Sequence, residues 1–372
     1  MAHIIQNIIP FPNGAQSSPF FGALASTLLP ALGYSDDTPY FCGPKNSYCI
    51  GCSDCGSTLK KHHNLIYHDY QTFTGVSLGW VWPEEGKEYQ TMPGWQEGWR
   101  WPDEFFGYIF GYAGLSWNRI GKQSGQAVVF AEIKASIDAG QPALMKLGDG
   151  PDWHVATGYD DDGKLYGLDS RKHFDHTLRP TVAAVTQQHY TEEGLFILRD
   201  WFSFFEDAII IAGRVPPAIM FRDVLSRLIT TLEHPAHTLL ERDLMARLDA
   251  VSPYNAWETA QWLLAKVGFP IEARWHAADS SLIRLTEDKN AQKKIFGMIR
   301  QYVFDNELET THGTCWKIWA QLGVCKETGY ALPPNAGKLL TKRETQTELK
   351  RLFAVVFAND RVVLELLREA NK

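Results

Sequence analysis

The chain has 372 residues, 36 Lys and Arg against 43 Asp and Glu, a formal charge of −7, and 45% apolar residues, of which the aromatic rings make up 13% of the chain. At about 100–200 residues per domain this predicts two domains, or one enzyme-sized domain with an appendage, and it excludes wholesale disorder. No run of Lys and Arg exists to neutralise a phosphate backbone, so a nucleic-acid partner is excluded.

The first fourteen residues carry Ile4, Ile5, Ile8 and Ile9 but no cationic start and no small-residue cleavage site. The longest apolar run, Ala208 to Ala212, is too short to span a bilayer. These features predict a cytoplasmic protein that does not enter membranes. The first helix is expected from Phe20 to Leu32, with Pro19 at its start and Gly33 at its end, the positions each residue favours.

Four cysteines follow within fourteen residues: Cys42, Cys49, Cys52 and Cys55. In a reducing compartment such a cluster points to metal or redox chemistry before disulfides. A loop rich in Gly, Pro and Ser that offers four thiolates can wrap a tetrahedral ion, so the expectation is a structural zinc pinning an insertion over 42–68. His62, His63 and His68 follow closely, and any one of them can replace a cysteine ligand. The bland reading is a set of incidental reduced thiols. No organic cofactor is expected, because no phosphate-cradling glycine loop and no paired-histidine zinc helix is present.

The segment Leu78 to Trp117 contains Trp80, Trp82, Trp95, Trp99, Trp101 and Trp117. Such rings can stack on a sugar or peptide, although filling an irregular core under long loops is the simpler reading. A second helix is expected over Ser124–Ala139, closed by Gly140. Strands then alternate with hairpin-length turns over 141–148, 153–159, 164–168, 195–199 and 207–212. Asp160-Asp-Asp-Gly reads as one of these turns and not as a calcium loop. His173, His176, His189, Asp175 and Asp207 read as surface or cap positions.

After Pro216-Pro217 the apolar period becomes helical. Phe221, Val224, Leu225, Leu228, Ile229 and Leu232 recur at three and four, as do Trp257, Ala260, Leu264 and Val267, then Ile295, Met298, Ile299 and Val303, then Leu349, Leu352, Phe353 and Val356. The expected organisation is therefore a mixed α+β domain over 1–216 and an all-helical domain over 217–372. Cys315 and Cys325 are expected as buried thiols in the helical part.

The stretch most suggestive of chemistry runs from Ile133 to Asp169: a helix, the turn Gly140-Gln-Pro, a strand, a strand carrying His154, the Asp-rich turn and a strand ending at Asp169. This order predicts His154 and Asp169 at the ends of neighbouring antiparallel strands. A carboxylate that orients an imidazole makes it a general base. The bland reading is a histidine hydrogen-bonded within the sheet.

This stretch resembles the second half of the papain-like cysteine peptidase fold, nearest to the bacteriocin-processing double-glycine peptidases and the butirosin-biosynthesis acyltransferase-like proteins. The resemblance covers roughly residues 16–215 with gaps and extends to Thr74-Gly75-Val76-Ser77. It implies an N-terminal helix packed on an antiparallel sheet, His154 as base, Asp169 as its orienter and Gln16 as an oxyanion donor. It also implies a peptidase or acyltransferase acting on an amide or thioester of a peptide or acylated small molecule.

The departure is at the nucleophile. The families carry a cysteine at the start of the first helix, where the helix dipole favours a thiolate, and this chain has Phe20 there. Three explanations stay open: a catalytically degenerate member, Cys55 as the nucleophile at the head of a short helix near Lys60 to Leu65, or a hydroxyl from Ser17 or Ser18. The alternative to an enzyme is a metal-stabilised protein that binds a peptide or small ligand without turnover.

Overall fold

The computed structural model describes residues 2–6, 8, 18–34, 40–42, 47–49, 61–84, 87–91, 102–148, 153–169, 189–190, 195–276, 282, 291–304, 309–328 and 331–372. The chain divides into two compact units, one formed by Met1–Tyr70 with Trp95–Ala218 and the other by Gln71–Gly94 with Ile219–Lys372. The structure thus differs from a single cut at 216: the stretch Gln71–Gly94, early in the sequence, groups with the helices of the second unit. The physical reason is Trp80, which is buried at 3% exposure in the apolar core of those helices and cannot pack elsewhere without losing it.

The first unit is α+β, built on one antiparallel sheet. Its strands are β1 (His3–Ile4), β6 (Leu115–Gly121), β7 (Ala143–Leu147), β8 (Trp153–Tyr159), β9 (Leu165–Asp169), β10 (His189–Tyr190), β11 (Phe196–Leu198) and β12 (Phe205–Arg214). They lie in the order β10-β11-β9-β8-β7-β12-β6, with β1 added beside β8. Two small hairpins stand apart, β2 (Tyr40–Cys42) with β3 (Ser47–Cys49) in this unit and β4 (Val81–Glu84) with β5 (Lys87–Thr91) in the other.

Helices of this unit are α1 (Pro19–Leu32), α2 (Lys61–Phe73), which crosses the division between the units, α3 (Asp103–Ala113), α4 (Gln126–Asp138) and the single turn α5 (Trp201–Phe204). Helix α4 covers one face of the sheet, where Val129, Ile133 and Ile137 pack with Ala143, Met145, Ala156, Ala208 and Ile210. Helix α1 meets the other face, its Phe20 ring 5.1 Å from that of Trp153. The alternation of side chains along a strand explains this division, since Trp153 and Ala156 differ by an odd number of residues.

The second unit contributes α6 (Phe221–Glu233), α7 (Pro235–Asp249), α8 (Ala256–His276), α9 (Ala291–Val303), α10 (Thr311–Gln321), α11 (Ala336–Leu340) and the 28-residue α12 (Arg343–Ala370). Leu240, Leu244, Leu263, Val267, Ile318, Leu349, Leu352, Phe353 and Val356 form its core. Every helical period read from the sequence after 217 falls inside one of these helices. Among the described residues no helix is long and apolar enough to cross a membrane.

Candidate functional site

Helix α1 starts where the sequence predicts. Ser18 caps it, its hydroxyl accepting from the Phe21 N–H at 3.5 Å, and Gly33 ends it with φ of 80°, a left-handed conformation that glycine adopts without strain. The Ser18 N–H donates to the Tyr67 hydroxyl of α2 at 3.0 Å. Phe20, at the position where the resembled families carry their thiol, is buried at 4% exposure. Its ring contacts those of Phe21, Phe105, Phe106 and Trp153 at centroid separations of 5.0, 5.8, 5.9 and 5.1 Å. This is an aromatic cluster of edge-to-face type, with no atom able to attack a carbonyl.

The β8–β9 hairpin is set by its Asp-rich turn. Asp160 Oδ1 accepts from the backbone N–H groups of Asp162 and Lys164, both at 3.0 Å, and Gly163 has φ of 78°. That turn fixes the register, which brings His154 directly opposite Asp169. The two positions are therefore neighbours across the strands, as their spacing predicts.

His154 is buried at 2% exposure. Across β7 it stands opposite Met145, a member of the layer under α4, while its chain neighbours Trp153 and Val155 are turned to the face that meets α1. The imidazole and the start of α1 thus lie on opposite faces of the sheet. In the resembled arrangement they face one another.

Gln16, Ser17, Cys52 and Cys55 lie outside the described residues, as do His173, Asp175 and His176. Cys42 and Cys49 stand on the β2–β3 hairpin, where Cys42 pairs with Ser47 and Cys49 with Tyr40. This register puts the two cysteine positions on one face of the hairpin, a diagonal pair at about 7–8 Å between Cα atoms. Among the described residues no three His, Cys, Asp or Glu come together to hold an ion.

No family model, no curated protein and no solved structure matches this chain.

Three expectations are corrected by the structure. Asp207 is not a surface residue: it is buried at 1% exposure on β12, and its Oδ2 accepts from Arg119 Nη2 at 2.8 Å. Cys325 is not buried; it is exposed beyond the end of α10, whereas Cys315 within α10 is buried and its thiol is pushed up to about 12 by that burial. Thr74 to Ser77 form a buried turn of the second unit, not a loop of the first. The core-filling reading of the aromatic segment holds for Trp80, buried at 3% exposure, whereas Trp117 is half-buried with its ring 5.5 Å from those of both Phe106 and Phe110.

Two polar groups escaped the sequence reading. The first is a charged strip on the α1 face of the sheet, where Lys146 at 4% exposure pairs in register with Asp207, and Arg119 binds both Asp207 and Asp103 at 2.8 and 2.9 Å. Its signal was present as charged residues inside apolar strands, a pattern that demands a buried partner. The second is between α1 and α2, where Ser26 Oγ lies 3.1 Å from His63 Nε2 and both residues are fully buried. Burial pushes the His63 ring down to about 3, against the hydrogen bond it makes to the Gly22 carbonyl. A neutral ring so enclosed is a structural hydrogen-bonding group, not a solvent-accessible base.

Proposed function

We propose that the first unit is a papain-superfamily domain that has lost acyl transfer and that holds a peptide or acylated small molecule without turnover. The observation that carries this reading is Phe20, packed into an aromatic cluster where the resembled enzymes place a thiol. The opposite facing of His154 and α1 supports it as well, because a general base must reach the proton it takes, within about 3 Å or through one water. The helix packed on an antiparallel sheet and the pairing of His154 with Asp169 support descent from the same group of enzymes.

The test is reactivity of the whole protein toward iodoacetamide and a fluorophosphonate, read by mass spectrometry, together with release from amide and thioester substrates. The expected result is no turnover and no side chain labelled faster than an ordinary surface group. Selective labelling of one cysteine or serine that disappears in His154→Ala overturns the proposal and favours an active enzyme, with Cys55 the first candidate.

A second part of the proposal concerns the cysteines. Cys42, Cys49, Cys52 and Cys55 would hold a structural zinc ion, and the shared face of Cys42 and Cys49 on a short hairpin fits such a site. Zinc bound by thiolates would tie the hairpin to the start of α2 and supply folding energy, not chemistry. Elemental analysis with thiol titration before and after chelation tests this. About one zinc per chain and four masked thiols are expected, and four freely titrating thiols with no metal overturn it.

A further inference from the structure

The strand β8 is flanked by β9 along its length but by β7 only as far as the pair Ala143 and Ala156. The Gly140-Gln141-Pro142 turn leads into β7 at that point, and proline offers no N–H to extend the ladder. The backbone of Thr157 to Tyr159 would be left as an open edge. The N-terminal segment fills it: His3 pairs with Tyr159, Ile4 with Gly158, and the Ile5 N–H donates to the Thr157 carbonyl at 2.8 Å.

Three features suit this notch to an incoming strand. Gly158 is one, because a Cβ there would stand 2.7 Å from the His3 carbonyl oxygen and 2.8 Å from Ile4 Cγ1, closer than real atoms approach. The second is a polar clamp that holds itself in shape. The Tyr159 hydroxyl donates to Asp138 Oδ1 at 2.6 Å, and Lys134 Nζ reaches Asp138 Oδ2 at 2.7 Å. His3 Nδ1 joins this clamp, 2.9 Å from Asp138 Oδ1 and 3.1 Å from the Tyr159 hydroxyl. The third is an apolar seat, since Ile5 packs against the cluster under α4 that contains Ile133, Ile137, Ala143 and Tyr159.

We propose that the end of β8 is a strand-accepting site for an extended peptide with a basic residue two positions before a branched aliphatic one. The chain's own His3–Ile5 occupies it in cis, and a peptide of the same pattern binds in trans when that segment is displaced. Main-chain hydrogen bonds supply the affinity, and the Asp138 clamp and the Ile5 seat supply the selectivity, as in other cases of strand addition. None of the residues of the papain-like catalytic pattern takes part in this site.

The experiment uses the full chain carrying Ile5→Pro, which removes the amide that donates to Thr157. The probe is a fluorescent, end-blocked peptide of the sequence Ala-His-Ile-Ile-Gln, followed by anisotropy. Binding at least tenfold tighter to the Ile5→Pro chain than to the unaltered chain is expected, with loss of binding when Gly158→Val is added. Equal binding to all three chains, or no binding to a folded Ile5→Pro chain, overturns the proposal. Should Ile5→Pro fail to fold, the same titration on His3→Ala, which loosens the chain's own segment from the Asp138 clamp, decides the matter. Binding of the peptide at least tenfold tighter than to the unaltered chain supports the site, and equal or absent binding overturns it.

Discussion

Both units bury an Arg–Asp pair, and they do so under different conditions. In the sheet of the first unit Arg119 binds Asp207 and Asp103, keeping 18% of its side chain in contact with solvent. In the helical unit Arg274 has none. Its Nη2 donates to Asp360 Oδ2 at 3.2 Å and to the Leu78 carbonyl at 2.7 Å, its guanidinium lies 4.6 Å from the Trp80 ring centre, and Trp80 Nε1 donates to Asp360 at 2.6 Å. A charge that retains water can lose its partner and relax. A charge without water needs every partner, because its desolvation is already complete. The helical pair thus fixes one arrangement of Leu78–Trp80 against α8 and α12, while in the sheet pair the guanidinium can be rehydrated although Asp207, at 1% exposure, cannot.

The sharpest way to break this contrast is Arg274→Met, which leaves Asp360 buried beside Trp80 without its cation. Burial already pushes the Asp360 carboxyl above the usual carboxylate range even with Arg274 in place. The expected loss is about 3–5 kcal/mol in denaturant unfolding, with most of it recovered in Arg274→Met with Asp360→Leu, since removing both charges removes the unpaired group. A double variant as unstable as the single one would mean that the contribution comes from packing and not from charge.

Acid should separate the units next. Burial holds His63 of the first unit at about 3, and His237 and His312 of the second at about 3 and about 4. For His237 the Arg274 and His234 charges push the same way. A histidine whose pKa is lowered by folding contributes stability above about pH 6.5, and that stability is lost as pH falls toward the folded value, because the unfolded chain takes up the proton first. At pH 5 each such group has cost about 2 kcal/mol, so two in one unit and one in the other predict the larger loss in the helices. Hydrogen exchange resolved along the chain between pH 7 and 5 measures this. Equal loss of protection in both units would show that other groups dominate the acid response.

Arg119→Met tests the tolerant half of the comparison. Asp207 stays buried, and Lys146, its register partner on β7, is the cation on the same face of the sheet that can take over the carboxylate. A loss of about 2 kcal/mol is expected, clearly less than for Arg274→Met. A loss as large as that of the helical variant would mean that Lys146 does not compensate the buried carboxylate.

The legibility of these features follows from their range in sequence. Helix α1, the β8–β9 hairpin and the helices after 217 are written in local signals: Pro19 and Gly33 at the ends, an Asp-rich turn, and apolar residues at three and four. The opposition of His154 and Asp169 follows from the same local turn. The facing of His154 was not legible, because it depends on whether α1 or α4 covers a given side of β8, and both helices have apolar residues to offer. Trp80 was equally opaque. Its partners Arg274 and Asp360 lie 194 and 280 residues away in sequence, so no window contains the reason for its burial. Helix α3 was hidden by its own aromatic density, since Phe105, Phe106, Ile109 and Phe110 fit the core of a loop as well as one face of a helix.

The smallest expected effect bears most directly on function. Ser18 is the described hydroxyl nearest the start of α1, and its oxygen serves the Phe21 N–H at 3.5 Å, a long and therefore weak cap. Its burial at 7% exposure leaves little access for a carbonyl substrate. Ser18→Ala should cost about 0.5–1 kcal/mol, at the low end for a cap, with the first turn of α1 exchanging faster and the rest of the helix unchanged. Reactivity toward a fluorophosphonate should be the same with and without the hydroxyl. A stability change near zero together with lost reactivity would reverse the assignment, since a nucleophile is defined by what it attacks and a cap by what it holds in place.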